Sequence, residues 1–450
     1  MNSRRTLRAL LALALLAGCD FHRARADLEA MANFIAQTER RKADAQDIRE
    51  DPIIEAAFHA NTEAVRRMLA QSPDSVLRHV QARDVAGMTA LHRAAWAGSA
   101  EIATMLVDAG ATVDARDGSG VTPFGLAARW GNRAVLDVLL ERGADVGHRD
   151  DLGKTVLHLA AQYDHAEVCE ALIAHGLSPN ERDNAGNTPL HSAALLARRR
   201  STTVLLNHGA NPNARGYLGW TPLHVAASGA VAKDGADPEL CRLLVSRGAD
   251  VNARTAEGVT PIFHAATQQD SAVVATLLDL GADPRIAQQD GSTVLRAAVL
   301  GGSPTVLKML LDRRTNANER TANMHGALIH LAVDAKSPEM VRLLIDHGAI
   351  IQATDQDGRT PLFQAAQMGQ TEIVALLLKR GARVDTPDRF RRTPLHVAAA
   401  GGYLECARLL VNAGAPLEVR DESGETPMKV AWGPDRAPMR DLLKRHGARR

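Results

Sequence analysis

The feature that most constrains this chain is a spacing. The stretch TPLHVAAS, residues 221–228, has near-copies starting at Thr89, Thr122, Thr155, Thr188, Thr260, Thr293, Ala327, Thr360, Thr393 and Thr426. With Thr221 in its place, successive starts lie 33, 33, 33, 33, 39, 33, 34, 33, 33 and 33 residues apart. A fixed period of this length marks an array of supersecondary units, none of which can bury its apolar face alone. A chain of 450 residues would ordinarily suggest several domains. The period instead predicts one continuous, quasi-linear solenoid.

One unit can be read physically. Thr221 is a good N-cap, because its hydroxyl can accept from an unpaired first-turn N–H. Pro222 follows at the first helical position, where its missing N–H costs nothing. Leu223, Ala226 and Ala227 form an apolar stripe at helical spacing, and the small Ala-Ala pair permits close approach of a neighbouring helix. A second helix follows, as in Ser99–Asp108, with Ile102, Met105 and Leu106 on one face. It stops at Gly110, a position suited to a left-handed cap. Gly143, Gly176, Gly209, Gly248, Gly281, Gly348, Gly381, Gly414 and Gly447 recur at the same place. The next segment is polar and turn-rich, as expected of a short hairpin-like loop.

The unit D-x-x-G-x-T-P-L-H-x-A-A…LL…G-A-x-x-N resembles the ankyrin repeat, with matching copies from Asp84 to the C-terminus. The resemblance implies an all-α solenoid of stacked helix–turn–helix pairs with β-hairpin loops projecting along one edge. Eleven units are expected over 84–450, the last serving as a C-terminal cap. Residues 51–83 read as a degenerate first repeat: Asp51-Pro52 starts a helix whose apolar face is Ile53, Ile54, Ala56 and Ala57. Val65, Met68 and Leu69 supply its second helix, and the loop around Ser72-Pro73-Asp74 is longer than usual. Leu311–Arg314 lacks the closing glycine and Met324-His325 replaces the loop glycine, which makes these two neighbours the expected weak point or bend.

Residues 1–19 read as a secretory signal. Arg4, Arg5 and Arg8 form a positive n-region, and Ala9–Ala17 is too short to span a bilayer. The ending Leu16-Ala17-Gly18-Cys19 resembles the lipobox of bacterial lipoproteins. This implies diacylation of Cys19, cleavage before it and an acylated N-terminus, hence stable attachment to a membrane. Asp20 resembles the residue that retains lipoproteins in the inner membrane of enteric bacteria, and favours the inner membrane with the chain facing the periplasm. An ordinary cleaved signal with a chance cysteine, and a twin-arginine route from Ser3–Leu7, are the alternatives. Residues 20–50 are expected to be a tether and N-terminal capping helix, with Leu28, Met31, Phe34 and Ile35 on one face; a separate partner helix is the other reading.

Charge narrows the partners. The chain carries 53 basic and 52 acidic residues; without Arg4, Arg5 and Arg8 the balance is 50 against 52, a difference of −2. Nucleic-acid binding needs clustered basic charge, and nothing in this near-neutral balance argues for it. No motif for a phosphate loop, a serine nucleophile, a zinc-binding helix or a Cys-x-x-Cys pair occurs, so no catalytic residue, metal or cofactor is assigned. His92, His158, His191, His224, His330 and His396 recur once per repeat. At a repeat spacing of about 10 Å they cannot converge to the ~2 Å that a metal requires. By resemblance they link each helix to its own and the neighbouring loop. Cys169, Cys241 and Cys406 sit on apolar second-helix positions. Cys169 and Cys241 are two repeats apart, too far for a disulfide, and three buried free thiols are expected.

Aromatic residues are only 3% of the chain, so their placement is informative. In ankyrin repeats the two positions after Ala-Ala and the hairpin positions around the loop glycine resemble the partner-binding surface. The first set here holds Trp96, Arg129 and Trp130, Gln162 and Tyr163, and Leu195 and Leu196. The hairpin set adds Tyr217, Leu218 and Trp220, with Phe390 among Arg389, Arg391 and Arg392 further along. Trp, Tyr and Arg dominate interface hot spots; the competing reading is that these side chains are partly core. Arg198–Arg200 are expected to be solvated. The irregular 39-residue step contains an insertion at 228–240, either functional or neutral. The expected function is a non-catalytic protein-interaction scaffold at the cell envelope. An immunity protein neutralising a toxin is a narrower form, and an effector delivered to another cell a further alternative.

Overall fold

The computed structural model describes residues 51–229, 236–320, 326–431 and 436–449. The stretches read as a signal, a lipobox at Cys19 and a tether therefore lie outside the described residues, as do Met324-His325 and residues 230–235 of the 228–240 insertion. The chain divides into two compact units, one ending at Ala256 and the other beginning at Glu257.

The first unit holds thirteen α-helices: α1 (Pro52–Phe58), α2 (Thr62–Leu69), α3 (Pro73–Gln81), α4 (Ala90–Ala97), α5 (Ala100–Asp108), α6 (Pro123–Trp130), α7 (Arg133–Glu141), α8 (Val156–Gln162), α9 (Ala166–Ala174), α10 (Pro189–Leu195), α11 (Arg199–Asn207), α12 (Pro222–Ser228) and α13 (Pro238–Ser246). The second continues with α14 (Pro261–Thr267), α15 (Ser271–Asp279), α16 (Val294–Gly301), α17 (Pro304–Leu311), α18 (Leu328–Asp334), α19 (Pro338–Asp346), α20 (Pro361–Gln367), α21 (Thr371–Lys379), α22 (Pro394–Ala400), α23 (Leu404–Asn412), α24 (Pro427–Val430) and α25 (Arg436–Arg445). Within each unit, first helices pack on first helices of the adjoining repeats and second helices on second helices. This is the predicted solenoid of helix–turn–helix pairs.

The helix ends follow the sequence. The Thr122 hydroxyl accepts from Gly125 N at 3.2 Å ahead of Pro123, and the Ser99 hydroxyl accepts from Ile102 N at 3.3 Å. The core is the apolar stripe of each pair. Leu91, Ala94, Ala95, Ile102 and Leu106 are fully buried in one repeat, and Leu157, Ala160, Ala161, Cys169 and Leu172 in another. Cys169, Cys241 and Cys406 are buried free thiols, as expected. Burial pushes the Cys169 thiol up to about 12.

The loops depart from regular hairpins. Among the described residues there is no strand, only the isolated bridges Arg149–Thr155 and Arg320–Ala327. In seven of the loops the reason lies in the aspartate that opens the loop. Asp117 Oδ1 accepts from Ser119 N at 2.8 Å and Val121 N at 2.9 Å. The carboxylate thus takes backbone donors that a longer ladder would use. Asp84, Asp150, Asp183, Asp355, Asp388 and Asp421 hold their loops in the same way. Neighbouring tips are joined by single backbone bonds, such as Gly118 N to Ala86 O at 2.8 Å and Asn184 N to Leu152 O at 3.0 Å.

Two local expectations change. The stretch after Ser72, expected as a loop, is helix α3, with Pro73 in its first turn and Val76 and Val80 buried one turn apart. His79 on this helix meets the Asp51 carboxylate at 3.0 Å. In the unit that lacks the closing glycine, Arg314 takes the left-handed conformation itself, with φ 58°. Its N–H bonds to Leu311 O, as Gly348 N bonds to Ile345 O one repeat later. The repeat closes without glycine, at the cost of a strained residue.

Candidate protein-binding surface

The surface begins where each first helix ends. In α4, α6 and α8 the Ala-Ala pair is buried against neighbouring helices. The following one or two residues therefore emerge at the edge of the core. Trp96, Arg129 and Gln162 share the first of these places, and Trp130 and Tyr163 the second.

Their rings form a continuous ladder. Trp96 and Trp130 stack with centroids 5.3 Å apart and planes 11° apart. Trp130 continues to Tyr163 at 6.4 Å and 28°. At the other end Phe58, the last residue of α1, meets Trp96 edge-to-face at 5.4 Å. Trp130 is 42% exposed and Phe58 39%, while Trp96 and Tyr163 are half-buried. The rings support one another and still leave a contiguous apolar edge to solvent, the kind of patch that marks an interaction site.

Two arginines are laced into the ladder. The Arg93 guanidinium lies 5.2 Å from the Phe58 ring centre and 5.3 Å from that of Trp96. It is fixed by the Asp84 carboxylate at 2.6 Å, whose side chain is wholly buried. Arg129 lies 4.9 Å from the Tyr163 ring centre and donates to its hydroxyl at 2.6 Å. Gln162 accepts from Lys154 Nζ at 3.0 Å, and its carbonyl accepts from Arg198 Nε at 3.1 Å.

Not every expected residue joins. Leu195 ends α10 and Leu196 caps it, both half-buried and outside the ring contacts. Tyr217, Leu218 and Trp220 occupy a separate loop. Gly216 stands there where other repeats carry the loop aspartate, so the two N–H groups lose their usual acceptor. Tyr217–Gly219 forms a 3-10 turn, and Tyr217 N turns to Asn187 Oδ1 at 3.1 Å. A Cβ on Gly216 would lie 2.3 Å from that same oxygen, so the exchange requires glycine. Leu218 is left-handed, with φ 54°, and Tyr217 and Leu218 are exposed. Trp220 is half-buried, and its carbonyl takes a bond from His191 Nε2. In the second unit Phe390 is packed by Arg389 at 4.6 Å and Arg392 at 5.1 Å. Those arginines already face Asp357 at 2.8 Å and Asp388 at 2.6 Å. Arg198–Arg200 are not simply solvated: Arg199 meets Asp237 at 3.1 Å and Arg200 meets Glu167 at 3.7 Å.

Phe58 joins the ladder from outside the expected set, yet its signal is present in the sequence. Ala56-Ala57-Phe58 matches Ala94-Ala95-Trp96, but the degenerate repeat lacks the Thr-Pro-Leu-His lead that draws attention to the others.

The repeated histidines are structural. His92 Nδ1 accepts from Thr89 N at 3.1 Å, which leaves Nε2–H to donate to Val121 O in the next loop at 3.1 Å. His158, His330 and His396 repeat the arrangement with Asn187, Arg359 and Glu425 carbonyls. Each ring thus ties its helix start to the following repeat. Burial holds the imidazoles neutral, pushing His158 and His191 down to about 4 and lowering His92, His330 and His396. Among the described residues no cluster of histidine, cysteine and carboxylate side chains could hold a metal ion. No helix among them is long and apolar enough to cross a membrane.

The model of the family of ankyrin repeats in three copies matches residues 21–117, 124–216, 228–322 and 315–388, and that of ankyrin repeats in many copies matches 377–431. The chain belongs to the ankyrin-repeat family. Among curated relatives, it is 37% identical over 133 residues to the mitochondrial disaggregase of Bos taurus, covering 29% of this chain and 19% of that protein. It is 34% identical over 112 residues to the B-cell lymphoma 3 protein of Homo sapiens, covering 24% and 25%. It therefore spans about a fifth to a quarter of the length of these relatives. Among solved structures, the ankyrin repeat domain of Bcl-3 matches at 30% identity and a TM-score of 0.43, over 50% of this chain and 99% of that one. Human ASB11 gives 29% and 0.46, over 52% and 99%. As an ankyrin-repeat protein, the chain falls among interaction modules that bind other proteins.

Proposed function

We propose that this protein is a non-catalytic scaffold that binds a partner protein through the ladder Phe58–Trp96–Trp130–Tyr163, while a lipid on Cys19 holds it to the periplasmic side of a bacterial membrane. The observation that carries the binding reading is the ladder itself. Tryptophan, tyrosine and arginine are the side chains that dominate hot spots, and here an exposed Trp130 and its half-buried neighbours Trp96 and Tyr163 are prearranged by mutual stacking. Prearrangement lowers the ordering cost of association. The lipid reading rests on Leu16-Ala17-Gly18-Cys19 and the charged, short apolar leader before it.

The test is affinity capture from the native membrane fraction with the wild type and with the triple variant Trp96→Ala/Trp130→Ala/Tyr163→Ala. A thermal melt establishes that the variant is folded. A partner held by the wild type and lost by the folded variant supports the ladder. A partner held equally by both moves the site elsewhere, with the Tyr217–Trp220 loop the next candidate. Labelling cells with a fatty acid tests the anchor, since Cys19→Ala abolishes incorporation if Cys19 carries the lipid. The narrower reading, neutralisation of a secreted toxin, predicts that co-expression protects cells from that toxin; unchanged killing removes it.

A further inference from the structure

Two cations at the ladder's end, Arg129 and Lys154, have neutral groups as their hydrogen-bond partners. Three nearby arginines have carboxylate partners: Arg93 with Asp84, Arg116 with Asp151, Arg149 with Glu181. Arg129 and Lys154 make no ion pair among the described residues. Both bond instead to neutral groups, the Tyr163 hydroxyl and Gln162 Oε1, on adjacent residues at the ladder's end. Arg129 Nε is buried and has no hydrogen-bond partner.

We propose that Arg129, Lys154, Gln162 and Tyr163 form a carboxylate-binding subsite, and that the partner presents an extended segment in which one Asp or Glu is flanked by apolar side chains. The inference rests on the ladder being the binding surface, and it adds the chemistry of what binds there. Three further observations point the same way. Stacking of Trp96 on Trp130 covers their faces and presents ring edges, the positive part of the aromatic quadrupole. The two nearest loop carboxylates each turn Oδ1 to their own loop, Asp150 accepting from Leu152 N and Lys154 N and Asp183 from Ala185 N and Asn187 N, and neither forms an ion pair with Arg129 or Lys154 among the described residues. Burial lowers the Lys154 ammonium, with the Arg129 charge a lesser cause in the same direction and Asp150 and Asp183 opposing. An incoming carboxylate would relieve that burden. Guanidinium and ammonium together suit it well, because charge-assisted bonds are about twice as strong as neutral ones.

The test uses the full chain and a displayed library of random peptides of about twelve residues, long enough at ~3.3 Å per residue to run the ladder. The expected peptides share one acidic residue beside apolar ones. Changing that residue to its amide weakens binding to the wild type about tenfold, a difference of about 1.4 kcal/mol. In Arg129→Gln/Lys154→Gln the acidic and amide peptides bind alike, whereas Arg129→Lys retains the discrimination. The discrimination also shrinks as salt rises. Should the double variant fail its thermal melt, the Arg129→Lys and salt arms decide. Peptides that need Trp130 but show no acidic preference overturn the carboxylate subsite and leave the ladder standing. Acid discrimination that persists in the folded double variant also overturns the subsite. Peptides indifferent to Trp130→Ala overturn both readings.

Discussion

The indole of Trp130 lies on that of Trp96, centroids 5.3 Å apart and planes 11° apart, although the two residues belong to different repeats. The pair joins one first helix to the next outside the Ala-Ala core. It therefore serves stability and recognition together, and the two can be separated by magnitude. Trp130→Ala is expected to lower the unfolding free energy by about 1 kcal/mol, the worth of an aromatic pair. It should weaken partner binding by about 2 kcal/mol or more, as at a hot spot. Urea unfolding and a binding titration on the same preparation check both.

Arg314 gives a prediction of opposite sign. It holds a left-handed conformation that other repeats assign to glycine. Arg314→Gly removes that strain and should stabilise the protein by about 1 kcal/mol, read as a higher urea midpoint. Gly348→Ala, at the corresponding place one repeat later, should do the reverse.

The histidine ties make stability depend on pH. Their folded-state pKa values are depressed, so the folded protein resists protonation while the unfolded chain accepts it. Stability is thus fully present above about 6.5, the ordinary histidine value. It is lost progressively as pH falls towards about 4, where His158 and His191 titrate in the folded state. Urea midpoints at neutral pH and across this window should fall steadily. His158→Gln, which removes one such group, should flatten the slope.

The thiols make a fourth test. Cys169, Cys241 and Cys406 are buried, and burial raises the Cys169 and Cys406 thiols. They should react with a thiol reagent only on unfolding, since the thiolate is the nucleophile. The chain has 4 cysteines, so Cys19 is the remaining one. In protein isolated from membranes it should not react even in denaturant if it carries the lipid. A fourth reactive thiol would contradict the anchor.

Much of this was legible because a repeat averages out accident. Thr122, Pro123 and Gly143 announce one unit, and their recurrence announces the array. What escaped the sequence depended on neighbours. The segment after Ser72 looked like a loop because Pro and Asp suit both a turn and a helix start; burial of Val76 and Val80 decides for α3. The ladder was legible as a strip of positions, but not its membership. Phe58 lay in a repeat without its usual lead, and Leu195 and Leu196 share the positions without the ring contacts. The charges at the ladder's end were hidden for another reason. Nothing in the spacing of Arg129 and Lys154 tells that both would find neutral partners while Arg93, Arg116 and Arg149 found carboxylates.

The most direct measurement is site-specific photo-crosslinking in living cells. A photo-reactive phenylalanine is placed at Trp130 and Tyr163 on the ladder, and at Glu170, exposed on α9, as a control. The account predicts a crosslinked partner from Trp130 and Tyr163 and none from Glu170. A partner captured only from Glu170, with the ladder positions silent, would contradict it.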